Sequence, residues 1–149
     1  MSYFGRGPYE SYPDKRHASR MGLYSTTVTE HFEPYIRPQE NMAHTDTAWL
    51  TVGDESGHGL KICGGANSPK FSFNCCHFTT EQLTMTSHDY ELIPIDETVV
   101  HIDYKHSGIG SNSCGPRLDD KYRLNEKDIS FSFRILPTDK KIEPFEFIP

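Results

Sequence analysis

Short runs of alternating apolar and polar residues, separated by clusters of Gly, Pro, Asn and Asp, dominate the chain and predict a β-rich fold. "KFSFNCCHF" (70–78) puts Phe71, Phe73 and Cys75 at every second position, as a half-buried strand does. "ETVVHIDYK" (97–105) and "DISFSFRIL" (128–136) alternate in the same way. "TAWLTVGDESGHGLKIC" (47–63) reads as two strands around a Gly-rich hairpin loop, and "GLYSTTVTE" (22–30), rich in Thr, Val and Tyr, predicts another strand. "PYIRPQEN" (34–41) carries two prolines and is an extended connection or an edge strand. One helix stands out in "FTTEQLTMTSHDY" (78–90), where Thr79 can cap and Gln82 can reciprocate; it should run about two turns. The fold class is all-β, an antiparallel β-sandwich with one short helix.

Composition narrows the classes. At 149 residues and 17.0 kDa the chain has the size of one domain. Hydrophobic residues are 35%, which is low, but aromatics are 12%, which argues against disorder. The net charge of −6 is scattered, with no basic stripe for nucleic acid. No apolar run approaches the roughly 18 residues of a membrane helix, and "MSYFGRGPYESYPDK" has no signal-peptide core, so a cytoplasmic protein without membrane contact is expected. Cys63, Cys75, Cys76 and Cys114 are expected to be reduced, because adjacent cysteines rarely satisfy disulfide geometry.

Candidate chemistry is sparse. "CCH" (75–77) suggests zinc, but neighbours on a strand point to opposite faces and no C-x-x-C spacing occurs, so no metal site is expected. The eight histidines are dispersed and read as surface or satisfied core residues. "GIGSNSCGP" (108–116) lacks the third glycine and following helix of a dinucleotide loop and the G-x-S-x-G frame of a nucleophile elbow; no base can be placed beside Cys114. Its glycines, Ser/Asn side chains and Pro116 describe a shaped loop projecting from a sheet, suited to a partner or a ligand.

The ordered motifs "GPYESYPDKR", "YIRPQEN", "FSFNCCHFTTEQL", "TSHDYEL", "VHIDYKHSGIGSNSCGP", "YRL" and "ISFSFRI" resemble the C-terminal part of the long bacterial β-galactosidases of glycoside hydrolase family 2, over nearly the whole chain. The resemblance implies the second half of a galactose-mutarotase-like super-sandwich, incomplete at its N-terminal side, beside a catalytic (β/α)₈ barrel. Both catalytic glutamates and the magnesium and sodium sites of such enzymes lie in the barrel, so no catalytic residue and no cofactor is expected here, and the segment should be inactive alone towards β-galactosides such as lactose.

By the same resemblance, Gly110, Ser111, Asn112, Ser113 and Cys114 line the rim of the sugar site, with Cys114 where a stacking tryptophan is usual. Cysteine offers a much smaller contact, which puts platform stacking in doubt. Trp49 reads as core or domain-interface material. Glu10, Tyr12, Asp14 and Arg16, with Arg37, Gln39, Glu40 and Asn41, read first as loop-tying polar residues and second as sugar or barrel contacts. The family pattern usually has Asn at Ser11 and Gly at Met42. Expected partners are a barrel domain of the same or another chain, a galactoside at the loop edge and, through exposed sheet edges, a second copy. The alternatives are an independent carbohydrate-binding or mutarotase-like protein, and a non-catalytic subunit acting in trans.

Overall fold

The computed structural model describes residues 1–110 and 116–139. Its strands are β1 (Ser2–Gly7), β2 (Arg20–Ser25), β3 (His44–Thr47), β4 (Trp49–Gly53), β5 (His58–Gly64), β6 (Phe71–Cys76), β7 (Val99–Asp103) and β8 (Phe133–Asp139). They form two antiparallel sheets, a larger one ordered β2-β1-β4-β5-β8 and a smaller one ordered β3-β6-β7. Tyr3, Leu50 and Ile62 from the first sheet meet Phe71, Phe73 and Cys75 from the second in one buried core. Each large apolar side chain so buried contributes about 2 kcal/mol. The chain is an all-β sandwich.

The hairpin at 47–63 forms as read, with Asp54 accepting from the Ser56 and His58 amides to close its turn. The capping box also forms: Thr79 Oγ1 accepts from Gln82 N at 3.1 Å, and Gln82 Oε1 accepts from Thr79 N at 2.8 Å, so α2 (Thr80–Met85) starts where its side chains dictate.

Three local expectations are corrected. Within 22–30 the strand ends at Ser25, and Thr27 caps a one-turn helix, α1 (Val28–His31), by accepting from Glu30 N, so a second short helix is present. β6 is buried on both faces and not half-buried, because Ser72, Asn74 and Cys76 are covered as fully as Phe71 and Phe73. The last strand starts at Phe133, later than its alternation suggests. The proline-rich stretch 34–41 is irregular, as expected.

β1 and β3 carry little hydropathy signal. In β1 the inward positions are Tyr3, Gly5 and Gly7, and β3 is "HTDT". Pairing of β3 with β6 shifts register between His44 and Thr47, with Asp46 at φ 57°, so a bulge turns the Asp46 carboxylate outward. There it accepts from Arg6 Nε at 2.6 Å and Arg16 Nη2 at 2.9 Å, which assigns Arg16 a structural task.

Candidate rim-loop clamp

β1 stops at Pro8, and the following residues fold back on themselves. Tyr12 and Lys15 exchange two backbone hydrogen bonds of 3.0 Å, which tightens the turn and projects Asp14. Glu10 points inward and its side chain is nearly buried. It accepts from Lys15 Nζ, from the Tyr35 hydroxyl and, at 3.0 Å, from Met42 N. Burial pushes its carboxyl pKa up, but these hydrogen bonds and the Lys15 charge outweigh it and hold the group below the usual carboxylate range. Glu10 thereby ties residues 8–16 to residues 34–42. Met42 takes φ 53°, the left-handed region that favours glycine, to bring its amide to Glu10. Asn41 completes the tie by accepting from Glu33 N at 3.2 Å and donating to Gln39 O at 3.1 Å.

Asp14 grips the base of the glycine loop. Its Oδ1 accepts from Ile109 N at 3.0 Å and its Oδ2 from Gly110 N at 2.9 Å. Gly108 lies so close that a Cβ there would come within 2.5 Å of the Asp14 carboxyl carbon, and its amide donates to Tyr122 O at 2.8 Å. A side chain at 108 would force the clamp apart. Tyr12, buried beneath, sets its ring edge-on to His106 with centroids 5.7 Å apart, and burial raises its hydroxyl pKa.

His106 lies between two carboxylates: its Nε2 is 3.4 Å from Asp103, and its Nδ1 is 3.9 Å from Glu40. Glu40 also accepts from Asn74 Nδ2 at 2.9 Å, and Asn74 is bonded in turn to His101 at 2.7 Å. Ligand atoms of Glu40, Asp103 and His106 fall within 4.8 Å of one another. The closest approaches to the two acids come from opposite ring nitrogens.

Of the residues singled out in the sequence, Asp14 and Gly110 meet at the loop base, Tyr12 and Glu40 reach it through His106, and Glu10 and Asn41 tie the segments that carry them. Arg37 is exposed beside a groove with Glu40, Thr80, Leu83 and His101. Ser111, Asn112, Ser113 and Cys114 lie outside the described residues. Sequence reasoning missed His106 and Asp103; their signal was the spacing in "HIDYKH", directly ahead of the loop.

A second polar group occupies the core. His31 and His44 face each other Nε2 to Nε2 at 2.7 Å. His31 Nδ1 is 3.1 Å from Cys75 O and His44 Nδ1 is 2.7 Å from Arg6 O, with Tyr3 above the His44 ring. Burial drives both imidazoles towards the neutral form, His44 being pushed down to about 3. Burial also pushes the Cys75 thiol up to about 12, so it is no nucleophile. Cys63, Cys75 and Cys76 are free thiols. A cavity of about 820 Å³ opens between Glu10 and His31, with Tyr9, Tyr24 and Tyr35 in its wall. Trp49 is half-buried under the Lys61 ammonium, 5.4 Å from its ring.

The chain is similar to known proteins over most of its length. Residues 1–135 match the family described as beta galactosidase small chain. The β-galactosidase of Staphylococcus xylosus is 44% identical over 135 residues, and that of Actinobacillus pleuropneumoniae 43% identical over 136. Each alignment covers 91% of this chain and 13% of the relative. The Kluyveromyces lactis β-galactosidase is 35% identical over 133 residues, or 89% of this chain and 12% of its own length. The chain thus spans a small fraction of the length of these relatives, and by a match across most of its own residues it belongs to the β-galactosidase small-chain family.

Proposed function

We propose that the chain is the non-catalytic small-chain part of a family 2 β-galactosidase acting on terminal β-galactosides such as lactose, and that it shapes the outer rim of the sugar site. The observation that carries this reading is the Asp14 clamp: two backbone amides at the start of the glycine loop end on one carboxylate. A loop held this firmly at its base can present a fixed edge to a ligand that another part of the enzyme binds and cleaves. By the family resemblance Gly110 through Cys114 are assigned to that edge, with cysteine where a stacking tryptophan is usual. The two carboxylates that glycoside hydrolysis requires, and the magnesium and sodium of the whole enzyme, belong to the barrel. The super-sandwich is completed by strands of the larger part, in the same chain or supplied in trans.

The test is hydrolysis of a chromogenic β-galactoside by the purified chain alone and mixed with a galactosidase truncated before this segment. Activity only in the mixture supports the reading. Activity of the chain alone, with contamination excluded, sinks it.

The 820 Å³ cavity favours a second reading, a carbohydrate-binding domain in its own right, since tyrosine faces suit the apolar faces of sugars. Calorimetric binding of galactose by the isolated chain, lost in Tyr35→Ala, would support it. Mutarotation is not favoured, because His31, at the cavity wall, has both ring nitrogens engaged with Cys75 O and His44.

A further inference from the structure

The motif "YIRPQEN" joins the clamp through Tyr35, Gln39, Glu40 and Asn41, and the fold brings it together with a second motif, "TSHDYEL". The amide of Asp89 donates to Ile36 O at 3.2 Å, and Gln82 Nε2 on α2 donates to Ile93 O at 2.8 Å. These bonds fasten the 3₁₀ turn Asp89–Glu91 between the 34–41 segment and α2. Four large apolar side chains are carried outward on the joined segments: Ile36 is 82% exposed, Met85 81%, Tyr90 79% and Ile93 75%. The exposed large hydrophobics of the sheets are all at 54% or less. Single exposed hydrophobes need no explanation, but four on hydrogen-bonded neighbouring segments mark an interaction surface. The segment that carries Ile36 runs directly into Glu40, whose carboxylate flanks His106 at the base of the glycine loop.

We infer that Ile36, Met85, Tyr90 and Ile93 form the docking surface for the larger, barrel-bearing part of a β-galactosidase. The occupant follows from two facts. The family is that of a small chain, and 87% of the Staphylococcus xylosus relative lies outside the matched segment. The segment that bears Ile36 ends beside the loop base at Glu40, so the polypeptide that forms the pocket beyond that loop is the partner the patch is placed to meet. The inference rests on the functional reading above and adds the surface by which the two parts recognise each other. Tyr90, stacked on His88 with centroids 5.2 Å apart, is the aromatic anchor.

The experiment measures binding of the chain to the Staphylococcus xylosus β-galactosidase lacking its matching segment, by biolayer interferometry. Four proteins are compared: the wild type, the double variant Ile36→Asp/Ile93→Asp, the single variant Tyr90→Ala and a sheet control, Leu60→Asp. Circular dichroism melts check that each is folded, and Tyr90→Ala, a milder change, serves as a second patch variant. The expected result is at least a tenfold loss of affinity for the double variant, a smaller loss for Tyr90→Ala and no loss for Leu60→Asp. Equal binding by wild type and double variant would overturn the docking surface while leaving the functional reading in place. Absence of binding by the wild type would overturn that reading, and the surface with it. A wild-type dimer in sedimentation that the double variant abolishes would reassign the patch to a second copy.

Discussion

The sandwich core and the loop clamp are held in opposite ways. In the core, Tyr3, Leu50, Ile62, Phe71 and Phe73 exclude water over two packed sheets, and position follows from strand register. In the clamp, irregular segments are positioned by charged hydrogen bonds, Glu10 to Met42 N and Asp14 to Ile109 N and Gly110 N. Apolar burial is large but indifferent to exact placement, whereas hydrogen bonds from one carboxylate to two amides fix a backbone direction while adding little net stability. A loop meant to present an edge gains more from the second.

That contrast can be broken from the core side first. Phe73→Ala should remove about 3–5 kcal/mol, enough to unfold a small domain in a urea titration; a cost under 1 kcal/mol would mean the two sheets do not depend on each other. Glu10→Ala should cost about 1–3 kcal/mol because it strands the Met42 amide and removes the carboxylate that Lys15 pairs with, and it should loosen segments 8–16 and 34–42 together in hydrogen exchange.

Acidity acts on the core pair next. His44 is depressed to about 3 by burial, and His31 is lowered too, so the unfolded chain binds protons that the folded one refuses. Stability is then fully present above about 6.5 and falls as pH drops below it. A melting temperature unchanged between pH 7 and pH 5 would contradict this. Met42→Gly should raise stability by about 1 kcal/mol by relieving the positive φ, read as a shift of the urea midpoint. The smallest change in stability, within about 1 kcal/mol, belongs to Asp14→Ala, whose half-exposed side chain carries direction and not mass.

Legibility in the sequence follows the same division. The hairpin at 47–63 and the strand at 97–105 were readable because alternation and turn residues are local signals. So was α2, from Thr79 and Gln82. β1 was not, since two of its three buried positions are glycines, and β3 hides His44 and Thr47 behind a polar string. The 28–31 turn was misread because β-branched Thr27 and Val28 resemble a strand while Thr27 in fact caps a helix. Glu10, Tyr12, Asp14, Glu40 and Asn41 were recognisable as a set only through family resemblance. That Asp14 reaches across 95 residues to the loop is a tertiary fact that no local pattern records.

If the clamp orients a loop at the sugar site, removing it must show in the galactoside KM of the reconstituted enzyme carrying Asp14→Ala. The expected result is a KM raised several-fold, with the melting temperature of the isolated chain nearly unchanged. A KM equal to that of the wild type, in a variant shown to be folded and bound, would contradict it.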